Sequence, residues 1–362
     1  SEPGSAAPRV PEAASGFFRF YEAGAVPPDD LLESDLAEAL AAYDQLVQRD
    51  KPKKREELFG QLLDLTFLER EQVLEIQSLL EQKKQLVLEG PPGSGKTFVA
   101  DLFGRYFAGS ELHGPSTSHI VTVQFHQSYG YEDFVEGIRP ENNEAGQLEY
   151  KVRPGAFKEL CELARANPED RYVMIIDEIN RGNLSRIFGE LLLLLEYRDK
   201  DARLAYGDLF SIPPNVYLIG TMNTTDRSLA QIDYALRRRF YFYRLMPVQG
   251  KSAPVLERWL AKQAISQERR EYVLKLFVAL NEKVQQELGE HFQIGHSYFM
   301  TSEVATDEGI QRLWRRAVMP LLEEYFYARR NSGELLDSFE IGRLVPKAAL
   351  SASPSGEPIS PP

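Results

Sequence analysis

A glycine-rich stretch with a single lysine is the part of the sequence whose chemistry is clearest. Residues 90–97 read GPPGSGKT, which fits G-x-x-x-x-G-K-[ST] at each fixed position. Because glycine lacks a Cβ atom, such a loop can turn its backbone N–H groups inward, and the helix that follows adds the positive end of its dipole. The stretch therefore predicts a phosphate-binding loop. We assign to its binding surface Gly90, Pro91, Pro92, Gly93, Ser94, Gly95, Lys96, Thr97 and Phe98.

The elements around this phosphate loop and the side chains at its end make the prediction more specific. Three apolar residues, 86–88, read as a short buried strand before the loop, and residues 98–107 have the apolar spacing of a helix after it. Lys96 would reach the β- and γ-phosphates of a nucleotide, and the Thr97 hydroxyl would take one position around Mg²⁺. The alternative is a glycine- and proline-rich turn with a coincidental lysine, which leaves the flanking strand and helix unexplained.

Two acidic residues close a second apolar run. Residues 172–178 read YVMIIDE, so Asp177 and Glu178 lie at the end of a predicted strand. Buried carboxylates are costly unless they bind a cation or a polar partner. We expect Asp177 to hold Mg²⁺ through its water shell and Glu178 to orient or deprotonate an attacking water. A helix cap is the competing interpretation, and it applies to Glu178 more than to Asp177.

An asparagine, Asn223, and two of three adjacent arginines, Arg238 and Arg239, complete the candidate catalytic residues. Asn223 follows a third predicted strand, which would place its amide near the γ-phosphate and the water, although an asparagine at a strand end is often only a turn former. Arg237, Arg238 and Arg239 come at the end of a predicted helix. An arginine there could stabilise transition-state charge in a neighbouring subunit, or it could simply complement the helix dipole.

The elements that position these residues alternate between strand and helix. Strands are predicted at 120–125, 172–176, 216–222 and 240–245, and helices at 67–82, 155–166, 184–197 and 229–236. Such alternation predicts an α/β fold, with a parallel sheet flanked by helices on both faces and the ligand at the carboxyl ends of the strands. Two short hairpins, at 147–153 and 204–212, interrupt the pattern. Their expected role is open between a functional loop and a passive surface insertion.

Beyond Pro247 the predicted strands stop, and helices at 255–262, 269–288 and 311–330 indicate a smaller all-helical domain. The predicted organisation is a disordered tail (1–16), a helical or linker segment (17–65), the nucleotide-binding domain (66–246), the helical domain (247–346) and a second disordered tail (347–362). Within the segment before the nucleotide-binding domain, a helix is predicted near 30–48. The basic cluster at 51–55 is interpreted as a solvated helix start, with contact to phosphate as the alternative.

Composition limits the classes of function. The chain has 362 residues, 43% of them hydrophobic, a net charge of −12 and a pI near 5.1. That charge disfavours a chain that wraps nucleic acid by general electrostatics, although it leaves room for a local basic patch. We expect any affinity for DNA to come from an assembly or from another chain. No apolar stretch approaches about 18 residues, which predicts no membrane span and, by default, a cytoplasmic protein. The single cysteine, Cys161, is expected at an ordinary helix position.

Several stretches together resemble the AAA+ module of the McrB family, the motor subunits of modification-dependent restriction systems. They are GPPGSGKT (90–97), FHQSYGYEDFVEGIRP (125–140), IIDEINRGNLSRIFGELL (175–192), IGTMNTTDRS (219–228), ALRRRF (235–240) and FQIGHSYF (292–299). The resemblance implies an AAA+ P-loop NTPase domain with a parallel sheet, an all-helical lid, and a homo-hexameric ring with nucleotide between subunits. It also implies hydrolysis of GTP with Mg²⁺, action on DNA, and a partner nuclease of McrC type.

The resemblance also implies roles for individual residues. Lys96 and Thr97 would serve phosphate and Mg²⁺, and Asp177 and Glu178 the metal and the water. Asn223 and Asp226 would form a signature that resembles a GTPase motif, and Arg238 and Arg239 would lie at the subunit interface.

Two other classes of function remain compatible with the residues. One is an ATP-hydrolysing remodelling chaperone of the MoxR kind, which shares the general layout and would suit the acidic charge. The other is a nucleotide-gated scaffold that binds nucleotide and barely hydrolyses it, against which Glu178 and the arginines argue. The side chains do not decide between GTP and ATP, because a few hydrogen bonds, expected from backbone near 67–73, would discriminate guanine from adenine.

Overall fold

The structure, a computed structural model, describes residues 53–114, 117–143, 146–225 and 234–345. Both predicted tails, the helix predicted near 30–48 and Asp226 lie outside these ranges. The described chain begins with helix α1 (53–66), whose first three residues are the exposed basic ones, as expected of a solvated helix start. Helix α2 (Arg70–Lys83) begins three residues later than predicted. The reason is Phe67, whose φ of 58° lies in the left-handed region and cannot belong to the helix.

The predicted parallel sheet is present. In chain order the strands are β1 (Gln85–Gly90), β2 (Ile120–Gln124), β3 (Glu136–Asn142), β4 (Leu148–Pro154), β5 (Tyr172–Asp177), β6 (Ala202–Arg203), β7 (Leu209–Phe210), β8 (Val216–Asn223) and β9 (Tyr241–Arg244). Five of them form one sheet in the order β2-β5-β8-β1-β9, and all its pairings are parallel. The strand that ends in the acidic pair and the strand that enters the phosphate loop are therefore separated only by β8.

Helices cover both faces of this sheet, as predicted. The helices of this part are α3 (Lys96–Phe107), α4 (Tyr131–Phe134), α5 (Ala156–Ala166), α6 (Leu184–Phe188), α7 (Leu191–Glu196) and α8 (Tyr234–Arg237). On one face, Gly104 of α3 lies against Val173 and Ile175 of β5. Met174 and Ile176, which alternate with them, join the buried cluster that contains the apolar face of α5. A strand buried on both faces explains why this run is apolar throughout.

The prediction of one helix over 184–197 is wrong. The chain forms two short helices, α6 and α7, with Gly189 between them at φ 47°. A Cβ atom at this position would lie 3.0 Å from the Tyr131 ring. Close packing of α4 against this bend therefore demands glycine, and the backbone conformation that glycine permits ends the helix.

The two inserted hairpins are confirmed. Strands β3 and β4 pair antiparallel from Glu136 opposite Pro154 to Asn142 opposite Leu148, so this hairpin is longer than predicted. Strands β6 and β7 form the second, shorter one. On the first hairpin, Ile138 and Val152 face each other across the ladder and both are exposed.

The predicted helical domain follows the last strand, and we call residues 247–345 the lid. Its helices are α9 (Pro254–Ala261), α10 (Gln267–Leu288), α11 (Asp307–Leu313), α12 (Met319–Phe326), α13 (Ser332–Ser338) and α14 (Ile341–Leu344). The helix predicted over 311–330 is divided, because a π-helical turn, Trp314–Val318, separates α11 from α12. Pro320, two residues after this turn, has no N–H to continue the α-helical hydrogen bonds. None of the helices in the described ranges is long and apolar enough to cross a membrane.

One buried asparagine fixes the turn that leads from α10 back toward the sheet. Asn281 is fully buried, accepts a hydrogen bond from Ile294 N at 2.6 Å, and donates to the carbonyl oxygens of Ile294 and Phe277. These bonds satisfy backbone groups that water cannot reach. They therefore hold the segment around 289–298, which has only short 3₁₀ turns of its own.

Replacing Asn281 with alanine would leave the Ile294 N–H buried without its acceptor. We expect a loss of about 1–3 kcal/mol in the free energy of unfolding, because a buried unpaired donor keeps its full desolvation penalty. Urea unfolding followed by tryptophan fluorescence would measure it, since both tryptophans, Trp259 and Trp314, lie in the lid. Asn331→Ala is the matched control, because Asn331 is exposed and its side chain makes no cap. Equal midpoints for the two variants would contradict the assignment.

Candidate active site

The carboxyl edge of the sheet brings the predicted metal-binding residues together. Thr97, in the first turn of α3, donates a hydrogen bond from Oγ1 to Asp177 Oδ1 at 2.7 Å, although the two are 80 residues apart in sequence. Gln124, at the end of β2, lies 3.5 Å from the other carboxylate oxygen. The hydroxyl and the carboxylate thus converge on one point beside the phosphate loop, as hard oxygen donors for a divalent cation would.

A threonine that the sequence reasoning missed links the two acids. Thr221 is buried in β8, donates from Oγ1 to Asp177 Oδ1 at 2.6 Å, and accepts a hydrogen bond from the Glu178 backbone N–H at 3.1 Å. The available signal was a hydroxyl inside an otherwise apolar strand, two residues before Asn223 and so on the same face. Thr221 therefore fixes both the orientation of one carboxylate and the backbone of the other.

Glu178 is held by its side chain rather than used as a cap. Asn223 donates from Nδ2 to Glu178 Oε1 at 2.6 Å, and Arg181 forms an ion pair with Oε2 at 3.3 Å. Glu178 precedes a 3₁₀ turn, but its side chain makes no cap hydrogen bond, and its φ of 52° is left-handed. A non-glycine residue in that region is strained, and such strain is concentrated at functional sites.

The phosphate loop has the backbone that its glycines predict. Gly93 and Gly95 have φ values of 75° and 81°, and a Cβ atom on Gly90 would lie 2.5 Å from Leu245 O. Lys96 is buried and donates to Pro91 O at 2.9 Å, across the loop. The loop runs directly into α3, so its N–H groups and the helix dipole act on the same volume. Phe98, in the next position, is 53% exposed.

The lid contacts the phosphate loop through backbone hydrogen bonds. Gly295 N donates to Pro92 O at 3.1 Å and Ser297 N donates to Gly93 O at 3.0 Å. The approach is so close that a Cβ atom on Gly295 would lie 1.9 Å from the carbonyl carbon of Gly93. The sequence reasoning gave this segment no role in the site. Its visible signal was the stretch FQIGHSYF (292–299), which entered the family resemblance without a role in the site.

The residue after this glycine is an ionisable group in an unfavourable place. His296 is 7% exposed. Burial, and after it the positive charge of Lys96, lowers the pKa of His296 from its ordinary value of 6.5 to about 4. The imidazole is therefore neutral at physiological pH.

The arginines at the end of α8 differ in their surroundings. Arg238 is 66% exposed and forms an ion pair with Glu196 at 2.9 Å. Arg239 is buried, donates from Nε to Leu192 O at 2.6 Å, and also pairs with Glu196 at 3.0 Å. Arg237 lies over the Phe242 ring. Of the three, Arg239 is the one that is buried.

The backbone predicted to discriminate the base is tied to the lid. Arg258, on α9, donates from Nη1 to Phe67 O at 2.6 Å and pairs with Glu69. Lys262 lies over the Phe67 ring, 5.0 Å from its centroid. The left-handed turn at Phe67 is therefore held by lid side chains, so the backbone groups of this turn cannot move independently of α9.

Comparison with protein families gives two matches in tandem. Residues 85–240 match the AAA domain of the dynein-related subfamily, and residues 273–332 match the alpha-helical lid domain of McrB. The first range contains the sheet and the residues around Asp177, and the second lies within the lid.

Two curated relatives belong to restriction systems. The Type IV methyl-directed restriction enzyme EcoKMcrB subunit of Escherichia coli K12 is 40% identical over 262 residues, which cover 68% of this chain and 54% of that protein. The Type II restriction enzyme BsuMI component YdiS of Bacillus subtilis 168 is 24% identical over 196 residues, covering 43% of this chain and 55% of that protein. The chain thus spans about half the length of these relatives.

The lowered pKa of His296 makes stability depend on pH. Between about pH 6.5 and pH 4 the unfolded chain binds a proton that the folded imidazole does not, so the free energy of unfolding falls as the pH is lowered through this window. The contribution lost by pH 4 is about 3 kcal/mol. Urea unfolding of the nucleotide-free protein at pH 7, 6 and 5 would measure it, and His296→Leu should have a flatter profile. His291→Leu, at a position 38% exposed, should keep the wild-type profile. Identical profiles for all three would contradict the shift.

Proposed function

Because the chain is a McrB-type AAA+ protein, a member of a class of nucleoside triphosphatases, we propose that it hydrolyses GTP in a ring and drives a partner nuclease against foreign DNA. The observation that carries the proposal is the convergence at one sheet edge of a phosphate loop, the Thr97–Asp177 pair and the Glu178–Asn223 pair, beneath a lid that matches that of McrB. The restriction-system relatives support the same setting.

Binding of the nucleotide is assigned to the phosphate loop. Its N–H groups would cradle the α- and β-phosphates, and Lys96 would exchange its hydrogen bond with Pro91 O for the β- and γ-phosphates. Phe98 and Asp226 are proposed to contribute to nucleotide binding as well. Preference for GTP over ATP is proposed from the family, with the turn at Phe67 as the place where the base is discriminated.

The donor set fits Mg²⁺. Thr97 Oγ1 and Asp177 Oδ1 lie 2.7 Å apart, and Mg²⁺ commonly binds through one or two such oxygens together with substrate phosphates and water. Thr97 and Asp177 would hold the ion, with Thr221 keeping the carboxylate in place. When bound, Mg²⁺ supplies positive charge to the β- and γ-phosphate oxygens.

Glu178 is the proposed general base and Asn223 its positioning partner. The Glu178 carboxylate would accept a proton from the attacking water, and the Asn223 amide, at 2.6 Å from Oε1, would hold that carboxylate on the side of the γ-phosphate. The ion pair with Arg181 has to loosen before Oε2 can take part.

Arg238 and Arg239 are proposed to serve the neighbouring subunit. An exposed guanidinium at the end of a helix can reach a phosphate across a head-to-tail interface, which suits Arg238. Arg239 would act indirectly, because it fixes the Glu196 carboxylate that Arg238 also binds. The assembly we propose is a homo-hexamer with nucleotide between subunits.

The wider activity is proposed from the relatives. We propose that the ring acts on DNA through the assembled complex, that its partner is an endonuclease of McrC type, and that it works in the cytoplasm. The acidic charge of the chain, −12, is consistent with DNA contact that depends on the assembly rather than on this chain alone.

Steady-state hydrolysis of GTP and of ATP, measured across protein concentrations that span assembly, tests the proposal. We expect a strong preference for GTP and a specific activity that rises cooperatively with concentration, because each site needs a neighbouring subunit. Glu178→Gln should bind GTP normally and lose at least about a hundredfold in turnover. Glu323→Gln, at an exposed lid position, is the matched control. Preference for ATP, or full turnover by Glu178→Gln, would overturn the proposal.

Mixing two inactive variants tests the shared site. Lys96→Ala lacks a working phosphate loop but keeps Arg238, and Arg238→Ala has the reverse defect. Mixed one to one, about a quarter of the interfaces would combine an intact loop with an intact arginine, so hydrolysis should recover to roughly that fraction of wild type. Arg237→Ala, which should be active alone, controls for charge. No recovery in rings shown to contain both variants would contradict a role for Arg238 between subunits.

A further inference from the structure

One buried hydroxyl in the central strand of the sheet touches both acids of the site. Thr221 is 2% exposed and lies in β8, whose residues are buried except for the last. Its Oγ1 donates to Asp177 Oδ1 at 2.6 Å and accepts from the Glu178 backbone N–H at 3.1 Å. A carboxylate accepts and an N–H donates, so the direction of both hydrogen bonds is fixed. The hydroxyl is therefore used once as a donor and once as an acceptor.

The N–H that Thr221 accepts belongs to a strained piece of backbone. The paired ladder of β5 and β8 ends at Ile176 opposite Gly220, and Glu178 lies two residues beyond it with φ 52° and ψ 47°. A residue with a Cβ atom is disfavoured in this left-handed region, so its surroundings must hold it there. Thr221 restrains the N–H of Glu178, and Arg181 N donates to its carbonyl oxygen at 2.8 Å. The left-handed conformation is therefore anchored to β8 through Thr221.

Strand β8 holds Glu178 at two points. Asn223, two residues after Thr221 and on the same face of the strand, donates from Nδ2 to Glu178 Oε1 at 2.6 Å. Thr221 thus restrains the backbone of Glu178, and Asn223 restrains its carboxylate. Arg181, on the loop that follows, competes for the same carboxylate, because it pairs with Oε2 at 3.3 Å. With the backbone released, the side chain would be held at one end only and could turn toward Arg181.

The β-propensity of threonine does not explain this hydroxyl. Valine has nearly the same shape, suits a buried strand equally well and brings no polar atom that needs a partner. What the hydroxyl adds is two hydrogen bonds to the end of a different strand. Both of them end on residues to which hydrolysis is assigned, Asp177 and Glu178.

We propose that Thr221 is a positioning residue for hydrolysis, which keeps the backbone of Glu178 left-handed and so keeps the carboxylate of this general base on Asn223 and directed at the attacking water. The Asp177 carboxylate takes the proton of the hydroxyl and thereby leaves a lone pair for the Glu178 N–H. The inference rests on the proposed function. Because Thr221 acts through the base and not on the nucleotide, its loss should affect the chemical step and not binding.

The test compares kcat and KM for GTP in the full chain, above the concentration of assembly and at saturating Mg²⁺. We expect Thr221→Val to lower kcat by about tenfold or more and to leave KM within about twofold of wild type, because a misdirected base loses part of a contribution of about 10²–10⁴. Thr221→Ser keeps the hydroxyl and should recover most of kcat. Thr122→Val, at an exposed position of β2, is the matched control and should equal wild type. Unchanged kcat in Thr221→Val, or a rise in KM without a fall in kcat, would overturn the proposal.

A role in packing alone gives the opposite order of the two variants. At a buried position, loss of a methyl group leaves a cavity, whereas valine nearly keeps the volume of threonine. Packing alone would therefore make Thr221→Ser the slower enzyme and the one with the lower urea midpoint. A serine variant that is less stable than the valine variant and yet faster supports positioning, and a serine variant that is slower refutes it.

A double substitution shows through which acid Thr221 acts. If it acts through Glu178, Thr221→Val should cost less than about twofold in single-turnover hydrolysis once Glu178→Gln has removed the base. Losses that multiply would assign the effect to Asp177 and the metal ion. Recovery of the valine variant in excess Mg²⁺ would lead to the same conclusion, and either result contradicts the proposal.

Glu178→Gln alone separates this inference from the function on which it rests. Full turnover by Glu178→Gln would mean that this residue is not the base, and the proposed function would fail. Loss of turnover in Glu178→Gln, together with normal turnover in Thr221→Val, would leave the proposed function standing and remove only the positioning role of Thr221.

Discussion

The parallel register of three neighbouring strands is the constraint on which the site depends. Gly90 of β1 pairs with Asn223 of β8, and Ile176 of β5 pairs with Gly220 of β8. Strand β8 therefore runs past the end of β5, and its last polar residues lie beside the two acids. A shift of one residue would turn Thr221 and Asn223 to the opposite face, and the two carboxylates would lose the donors that β8 supplies. The apolar residues buried on both faces of β5 make such a shift costly, so the core of the sheet fixes the positions of the polar side chains at its carboxyl edge.

The sequence predicted the site residues that belong to contiguous motifs, and it missed those whose partners lie far away in the sequence. The phosphate loop forms a contiguous pattern, and Asp177 follows an apolar run that can hardly be anything other than a buried strand. Thr221 was missed because a threonine within a strand is also explained by β-propensity. His296 was missed because its partner loop lies some 200 residues earlier, and a lone histidine has no local signature. The break at Gly189 was missed for a related reason. A glycine inside a helical pattern does not by itself end a helix, and the approach of the Tyr131 ring, which requires glycine at this bend, is not visible in the local sequence.

The lid is attached to the sheet domain at several separate loops. Besides the phosphate loop, the Thr224 hydroxyl donates to His291 O at 3.0 Å, just beyond the end of β8. Arg244, on β9, pairs with Glu89 at the end of β1 and with Glu290 of the lid. Each attachment lies next to a residue assigned to phosphate, water or base. Movement of the lid would therefore break or shift contacts that lie beside the site.

The two hydrogen bonds between Gly295, Ser297 and the phosphate loop use only main-chain atoms. Main-chain donors and acceptors are common to nearly all amino acids, so this joint survives most exchanges of side chain around it. The steric demand falls almost entirely on Gly295, where even a methyl group has no room. Lid side chains could therefore be substituted widely without loss of these two hydrogen bonds, provided that Gly295 did not change. The contact between the lid and the phosphate loop can in this way persist while the surrounding surface changes.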